Sequence, residues 1–203
     1  FERSANLNPE NPEIYLSLAS LLSEKDPQKA FAHYRTFFSK QADPSSAKTF
    51  VKKVKKIFSQ SPQAINLKPI KIAIIGNVTL QTFRPFLEAQ CILAGAQIEF
   101  FFGGYDVFAQ EIVDPNSELY KFDPKITFLF LDASTLIPEL FVNFFEIASE
   151  KRIQLCRNKF ETIESLAKTF LSRSQSALAI SNFSIPRNFL MGIHDHRENP
   201  GEK

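Results

Sequence analysis

The spacing of apolar positions along the chain changes near residue 68. Up to about residue 60 they recur three or four apart: Tyr15, Leu18, Ala19 and Leu22, then Ala30, Tyr34 and Phe37, then Phe50, Val54, Ile57 and Phe58. That period predicts amphipathic helices, opened by Asn8-Pro9 and Asp43-Pro44. Beyond Lys68 the apolar residues gather into short runs instead. Ile70–Ile75, Gln97–Phe102, Ile126–Leu131 and Ala177–Ser181 read as strands. Between them the pattern predicts a helix from about Thr82 to Ala94, with Pro85 in its first turn and Gly95 after its end. Two short helices broken by Asp114-Pro115 are expected between Val107 and Lys121. A helix around Pro138–Ser149 and a longer one over Asn158–Ser174 complete the series.

Strands alternating with helices predict an α/β fold with a parallel sheet covered on both faces. Right-handed crossovers give the strand order 2-1-3-4. The polar, proline-marked stretch Gln60–Pro69 divides the chain into a helical segment, 1–62, and an α/β domain, 68–203.

Within the helical segment, Pro9 and Pro44 lie 35 positions apart. Tyr15, Leu18, Ala19, Leu22, Ala30, Tyr34 and Phe37 fall between them, an order that resembles the tetratricopeptide repeat. An ordinary helical hairpin is the alternative. A single repeat cannot bury its apolar face, so either further repeats precede it or the helices dock on the α/β domain.

Composition narrows the class. Of 203 residues 44% are apolar and 23% charged, as in a globular protein, and the 22 Phe are read as core. No apolar run approaches a membrane span, and no secretory signal pattern opens the chain. Because the first residue is Phe and the only Met is Met191, a piece of a longer protein is expected. Cys91 and Cys156 are far apart and lack metal-type spacing, which predicts a reducing, cytoplasmic setting. Net charge is +2 but uneven: residues 1–66 hold 10 basic against 6 acidic residues, and residues 67–203 hold 14 against 16. Lys52, Lys53, Lys55 and Lys56 account for much of the excess. With no interleaved aromatics, they read as a solvated helix face rather than a nucleic-acid or membrane footprint.

In an open α/β sheet, ligands collect beyond the carboxyl ends of the strands, at the switch in strand order. Here that edge gathers Gly76, Asn77 and Thr79 after the first strand and Gly103, Gly104, Tyr105 and Asp106 after the second. Asp132, Ser134 and Thr135 follow the third, and Asn182 the fourth. Gly76, Asn77, Thr79, Gly103, Gly104, Tyr105, Asp132 and Asn182 are the candidate ligand-binding residues. Thr79, Asp132 and Ser134 are the only candidates for chemistry. No dinucleotide fingerprint or phosphate-binding loop is present. Leu131-Asp132-Ala133-Ser134-Thr135 approximates the Asp-x-Asp-x-Thr motif of aspartate-nucleophile phosphatases, but Ser134 replaces the second Asp. Of three histidines, His33 lies in the helical segment. His194 and His196 share a polar carboxyl-terminal stretch and are read as incidental. No metal site is expected.

From about Lys71 onward an ordered series stands out: Ile74-Ile-Gly-Asn-Val-Thr79, Arg84-Pro-Phe-Leu-Glu-Ala89, Gly103-Gly-Tyr105, Glu111-Ile-Val-Asp-Pro-Asn-Ser-Glu-Leu-Tyr120, Phe122-Asp-Pro124, Leu129-Phe-Leu-Asp132 and Ser181-Asn-Phe183 with Pro186. This series resembles the amino-terminal domain of FkbH-like proteins. The resemblance implies a flavodoxin-like fold related to SGNH hydrolases, followed in the family by a haloacid-dehalogenase-type domain. Some members transfer a glyceryl unit to an acyl carrier protein. Mg2+ would belong to that further domain, and no cofactor is expected in this stretch.

Where SGNH enzymes carry Gly-Asp-Ser, this chain has Gly76-Asn77-Val78, so the serine nucleophile is absent. The resemblance therefore implies a non-catalytic accessory or binding piece of a larger enzyme. A residual hydrolase or acyltransferase using Thr79 or Ser134 with Asp132, and an interaction module acting through its helices, are the alternatives.

Overall fold

The computed structural model describes residues 8–183. His194, His196 and Pro186 lie outside the described residues, as does the stretch before Asn8. The described residues form two compact units: one takes the chain up to Ile70 together with Leu80–Glu99, and the other takes Lys71–Thr79 and everything from Phe100.

The first unit opens with α1 (Pro12–Leu22), α2 (Pro27–Lys40) and α3 (Pro44–Gln60), each with proline in its first turn. The first helix starts at Asn11-Pro12 rather than Asn8-Pro9, because the Asn11 side chain accepts the Glu13 N–H at 3.0 Å. Asp26 caps α2 through the Lys29 N–H, and Asp43 caps α3 through the N–H groups of Ser45 and Ser46. Each cap satisfies donors that a helix start leaves orphaned. A fourth helix, α4 (Arg84–Leu93), reached only after the first strand, completes this core. Its Ala89 and Ile92 are buried in the cluster that holds Tyr34, Phe38, Phe50, Val54 and Ile57. Phe38 stacks on Phe50 with ring centroids 5.2 Å apart and meets Phe86 of α4 edge-on at 6.0 Å. Lys55 of α3 pairs with the buried Glu88 of α4 at 2.6 Å. The buried Tyr34 hydroxyl is satisfied by Ser20 of α1 and by Ser23 just past its end.

The sheet has four strands: β1 (Lys68–Gly76), β2 (Ala96–Tyr105), β3 (Ile126–Phe130) and β4 (Ala177–Ile180). Its order is β2-β1-β3-β4 and it is all parallel, as predicted. β1 and β3 run in register from Ile72 opposite Ile126 to Gly76 opposite Phe130, and Leu129 lies opposite Ile180 of β4. α5 (Phe108–Val113) and α6 (Glu118–Phe122) are the two predicted short helices. They pack with Ala73, Ile75, Leu129 and Leu131 and with Ile163, Leu166 and Phe170 of the last helix. Arg173 holds the end of α5 by donating to the carbonyls of Ile112 and Val113, and the Tyr120 hydroxyl donates to Ile112 as well.

Two predicted elements differ. The helix expected over Pro138–Ser149 is instead α7 (Ala133–Leu136), α8 (Glu139–Val142) and a 3-10 turn, Phe144–Glu146. Asp132 caps α7 ahead of Pro138, where a single helix is expected to start, and Pro138 then opens only the short α8. The last helix, α9 (Ser149–Arg173), starts nine residues before Asn158. Ile153 and Cys156 carry the apolar spacing into its first turns, but they stand among polar residues and are too few to announce a helix by themselves.

Candidate functional site

At the carboxyl edge of the sheet, most of the polar residues singled out from the sequence are engaged with backbone. Asn77 is 1% exposed, and both ends of its amide are satisfied by one residue. Its Nδ2 donates to the Asp132 carbonyl at 3.0 Å, and its Oδ1 accepts the Asp132 N–H at 2.7 Å. Such a pair mimics a strand pairing carried past the end of β1, where β3 has already turned away. The other side of the same turn is held from β4, as the Ser181 hydroxyl accepts the Leu131 N–H at 3.0 Å. Asn77 therefore acts as a clamp between the two strand ends. Ser181 is the partner that sequence reasoning did not select, although a hydroxyl at a strand end was the signal available.

Gly76 has a comparable duty. Its φ is +153°, and a Cβ there would collide with the Phe130 carbonyl of β3. Its own carbonyl accepts the Asp106 N–H at 3.1 Å. Close approach of two strands fixes this glycine, with no need for an anion nearby. Gly103 and Gly104, read as a loop, lie within β2, which runs on to Tyr105. A Cβ on Gly103 would stand 2.9 Å from Ile75 Cγ2, and one on Gly104 would stand 2.8 Å from Val107 Cγ2. These glycines are spacers for packing, and the turn comes one step later at Asp106, whose φ is +56°.

Asp132 caps α7. Its Oδ2 accepts the Thr135 N–H at 3.0 Å, the Thr135 hydroxyl at 3.2 Å and the Ser134 hydroxyl. The Ser134 bond above all, with those from Thr135, holds the Asp132 carboxyl below its ordinary value, against an opposing push from partial burial. The group is thus a carboxylate at neutral pH, and it occupies the helix start that an anion would otherwise use. Thr79, Ser134, Tyr105, Asp106 and Asn182 are the exposed polar groups of this edge, Tyr105 at 60%.

Of the three candidates for chemistry, the structure brings Asp132 and Ser134 together and leaves Thr79 without a hydrogen bond to either. His33, the one imidazole among the described residues, belongs to α2 in the other unit. Among the described residues, no three His, Cys, Asp or Glu side chains converge as a metal site. A shallow depression of about 390 Å³ lies at the corner between α5 and α6, with Val107 at one end of its lining. Its Glu111 accepts the Leu119 N–H, and its Glu118 is bonded to Lys121. Among the described residues, no helix is long and apolar enough to cross a membrane.

Comparison with solved structures gives a match to the N-terminal part of the protein BF1531 from Bacteroides fragilis, described as containing a phosphatase domain complexed with Mg. The TM-score is 0.52 at 18% identity, over 64% of this chain and 33% of that one. The likeness is one of fold, and the chain spans a third of that protein's crystallised length. Comparison with curated proteins gives no match. The family model of the FkbH N-terminal domain matches residues 71–185, over half of the chain, with all four strands but the first residues of β1, and the clamped strand ends, inside that span; the chain belongs to this family.

Proposed function

We propose that this chain is a non-catalytic accessory and binding part of a larger FkbH-like enzyme. The observation that carries the proposal is the use made of the strand-end polar groups. Asn77 and Ser181 are spent on backbone, and Asp132 is spent on the start of α7. Nucleophilic catalysis needs a hydroxyl beside a base that a third group orients. Ser134 has only Asp132, whose low pKa makes it a poor proton acceptor at neutral pH.

In this reading the phosphatase or transferase chemistry, with its Mg2+, belongs to a haloacid-dehalogenase-type domain elsewhere in the parent protein. The similar structure from Bacteroides fragilis, described as containing a phosphatase domain complexed with Mg, supports that assignment. The α/β unit gives that domain a rigid neighbour, and the tetratricopeptide-like helices contribute a basic face toward an acidic acyl carrier protein. Lys52 and Lys56 are exposed on α3, while Lys55 is tied to Glu88.

The test is turnover by the full chain of activated acyl esters and phosphate monoesters. No rate above buffer is expected. Turnover abolished by Thr79→Ala or Ser134→Ala would overturn the proposal in favour of a residual hydrolase, a reading that the Ser134–Asp132 hydrogen bond favours. Salt-sensitive binding of a carrier protein, weakened by Lys52→Glu with Lys56→Glu, is the matching positive result. If those substitutions change nothing, the helical face has no part in carrier binding.

A further inference from the structure

The longest helix is only half used by the core of its own unit. Along α9, Ile153, Cys156, Phe160, Ile163, Ala167 and Phe170 recur at alternating steps of three and four, a seam of coiled-coil type. At about 1.5 Å per residue the helix is about 37 Å long. Its carboxyl half buries the seam: Ile163 and Phe170 are at most 8% exposed, and Phe170 stacks on Tyr120. In the amino-terminal half the same seam is open, with Ile153 47% and Phe160 55% exposed. Phe160 touches Phe183 at 5.8 Å and is still more than half open.

Large apolar groups continued in register along one helix face, beyond the core they serve, mark a contact surface more than a solvated one. The charges beside the open half select its partner. Arg152, Arg157 and Lys159 flank the seam and make no ion pair among the described residues. Arg152 is pinned with its guanidinium 4.0 Å over the Phe144 ring, its Nε buried and without a hydrogen-bond partner. Glu150 sits at the outset of the helix, Glu161 lies on the side away from the seam, and Glu164, which flanks the seam beyond Phe160, is already paired with Lys168. A second copy of α9 would set Arg152 against Arg157, which opposes self-pairing.

We infer that the amino-terminal half of α9 is a docking face for an amphipathic helix of a partner protein. That helix carries apolar residues at heptad spacing, flanked by Asp and Glu. This is helix-on-helix recognition with the specificity set by flanking charge.

The experiment uses the full chain and a fluorescein-labelled synthetic helix of three heptads, with Leu along its seam and Glu at the flanking positions. Its twin carries Lys at those positions. Anisotropy titration is expected to show binding of the acidic helix, with the Lys twin at least about tenfold weaker. Ile153→Ser with Phe160→Ser should weaken the acidic helix by at least about tenfold, since both side chains are anchors. Arg157→Glu with Lys159→Glu should reverse the preference between the twins. All four positions are exposed, so circular dichroism should show unchanged helix content.

Equal binding of the twins, or none, overturns the inference. So does binding that appears only after residues 184–203 are removed, which would make the chain its own occupant. Concentration-dependent dimers lost in the double-serine variant, or attachment to anionic vesicles without peptide binding, overturn it too.

Discussion

Replacing Asn77 by Ala tests whether strand-end polarity serves architecture. The substitution removes a side chain that is 1% exposed and strips two hydrogen bonds from the backbone of Asp132, at 3.0 and 2.7 Å. An abandoned buried donor or acceptor costs about 1–3 kcal/mol. Asp132 is half-buried, so water reaches part of the vacated space and the two groups together should cost about 2–4 kcal/mol. At about 4 °C per kcal/mol for a unit of this size, the melting temperature of the α/β unit should fall by roughly 8–16 °C. Circular dichroism melts and urea titrations measure this, with Asn182→Ala as the exposed control, expected within about 0.5 kcal/mol. If Asn77→Ala and Asn182→Ala melt together, the clamp contributes nothing and Asn77 is free to serve a ligand.

Four further perturbations follow from the structure. Gly76→Ala should prevent the α/β unit from folding, because its Cβ would collide with the Phe130 carbonyl. Gly95→Ala, with φ +84° but open space around it, should cost only about 1–2 kcal/mol, and urea unfolding separates the two. The lowered Asp132 pKa contributes stability that is present above the unfolded-state value near 3.9 and is lost as pH falls through the folded value. Asp132→Asn should therefore flatten the acid limb of a stability-against-pH curve below about pH 4, and an unchanged limb would refute the cap's role. Lys55→Met leaves the buried Glu88 carboxylate unpaired and should destabilise the helical unit by about 1–3 kcal/mol. Adding Glu88→Gln should recover part of that loss in a double-mutant cycle.

The parallel sheet was readable from apolar runs because β1 is buried on both faces through its carboxyl half, so its sequence is nearly all apolar. The break between α5 and α6 was readable because Asp114-Pro115 punctuates it. The first nine residues of α9 were not, since Ile153 and Cys156 alone keep the apolar spacing among polar neighbours and the stretch reads as a connection. Asn77 and Asp132 were correctly placed at one edge by topology. Their roles were invisible, because a sequence shows that an amide stands at a strand end but not whether backbone or ligand meets it. The glycines misled for a related reason: Gly103 has the composition of a loop, yet its missing Cβ serves contact with Ile75.

The recruitment of α4 into the helical core has a consequence for synthesis. Phe86, Ala89 and Ile92 supply one wall of the cluster around Phe38 and Phe50, yet they emerge from the ribosome after β1. α1, α2 and α3 therefore wait with an open apolar face while the first strand is made, and that strand stays unpaired on one edge until β2 arrives and on the other until β3 does. The two units are interleaved in translation order, so neither can finish folding as a simple amino-terminal block. A pause placed between Ile70 and Leu80 would lengthen the exposure of both unfinished surfaces at once.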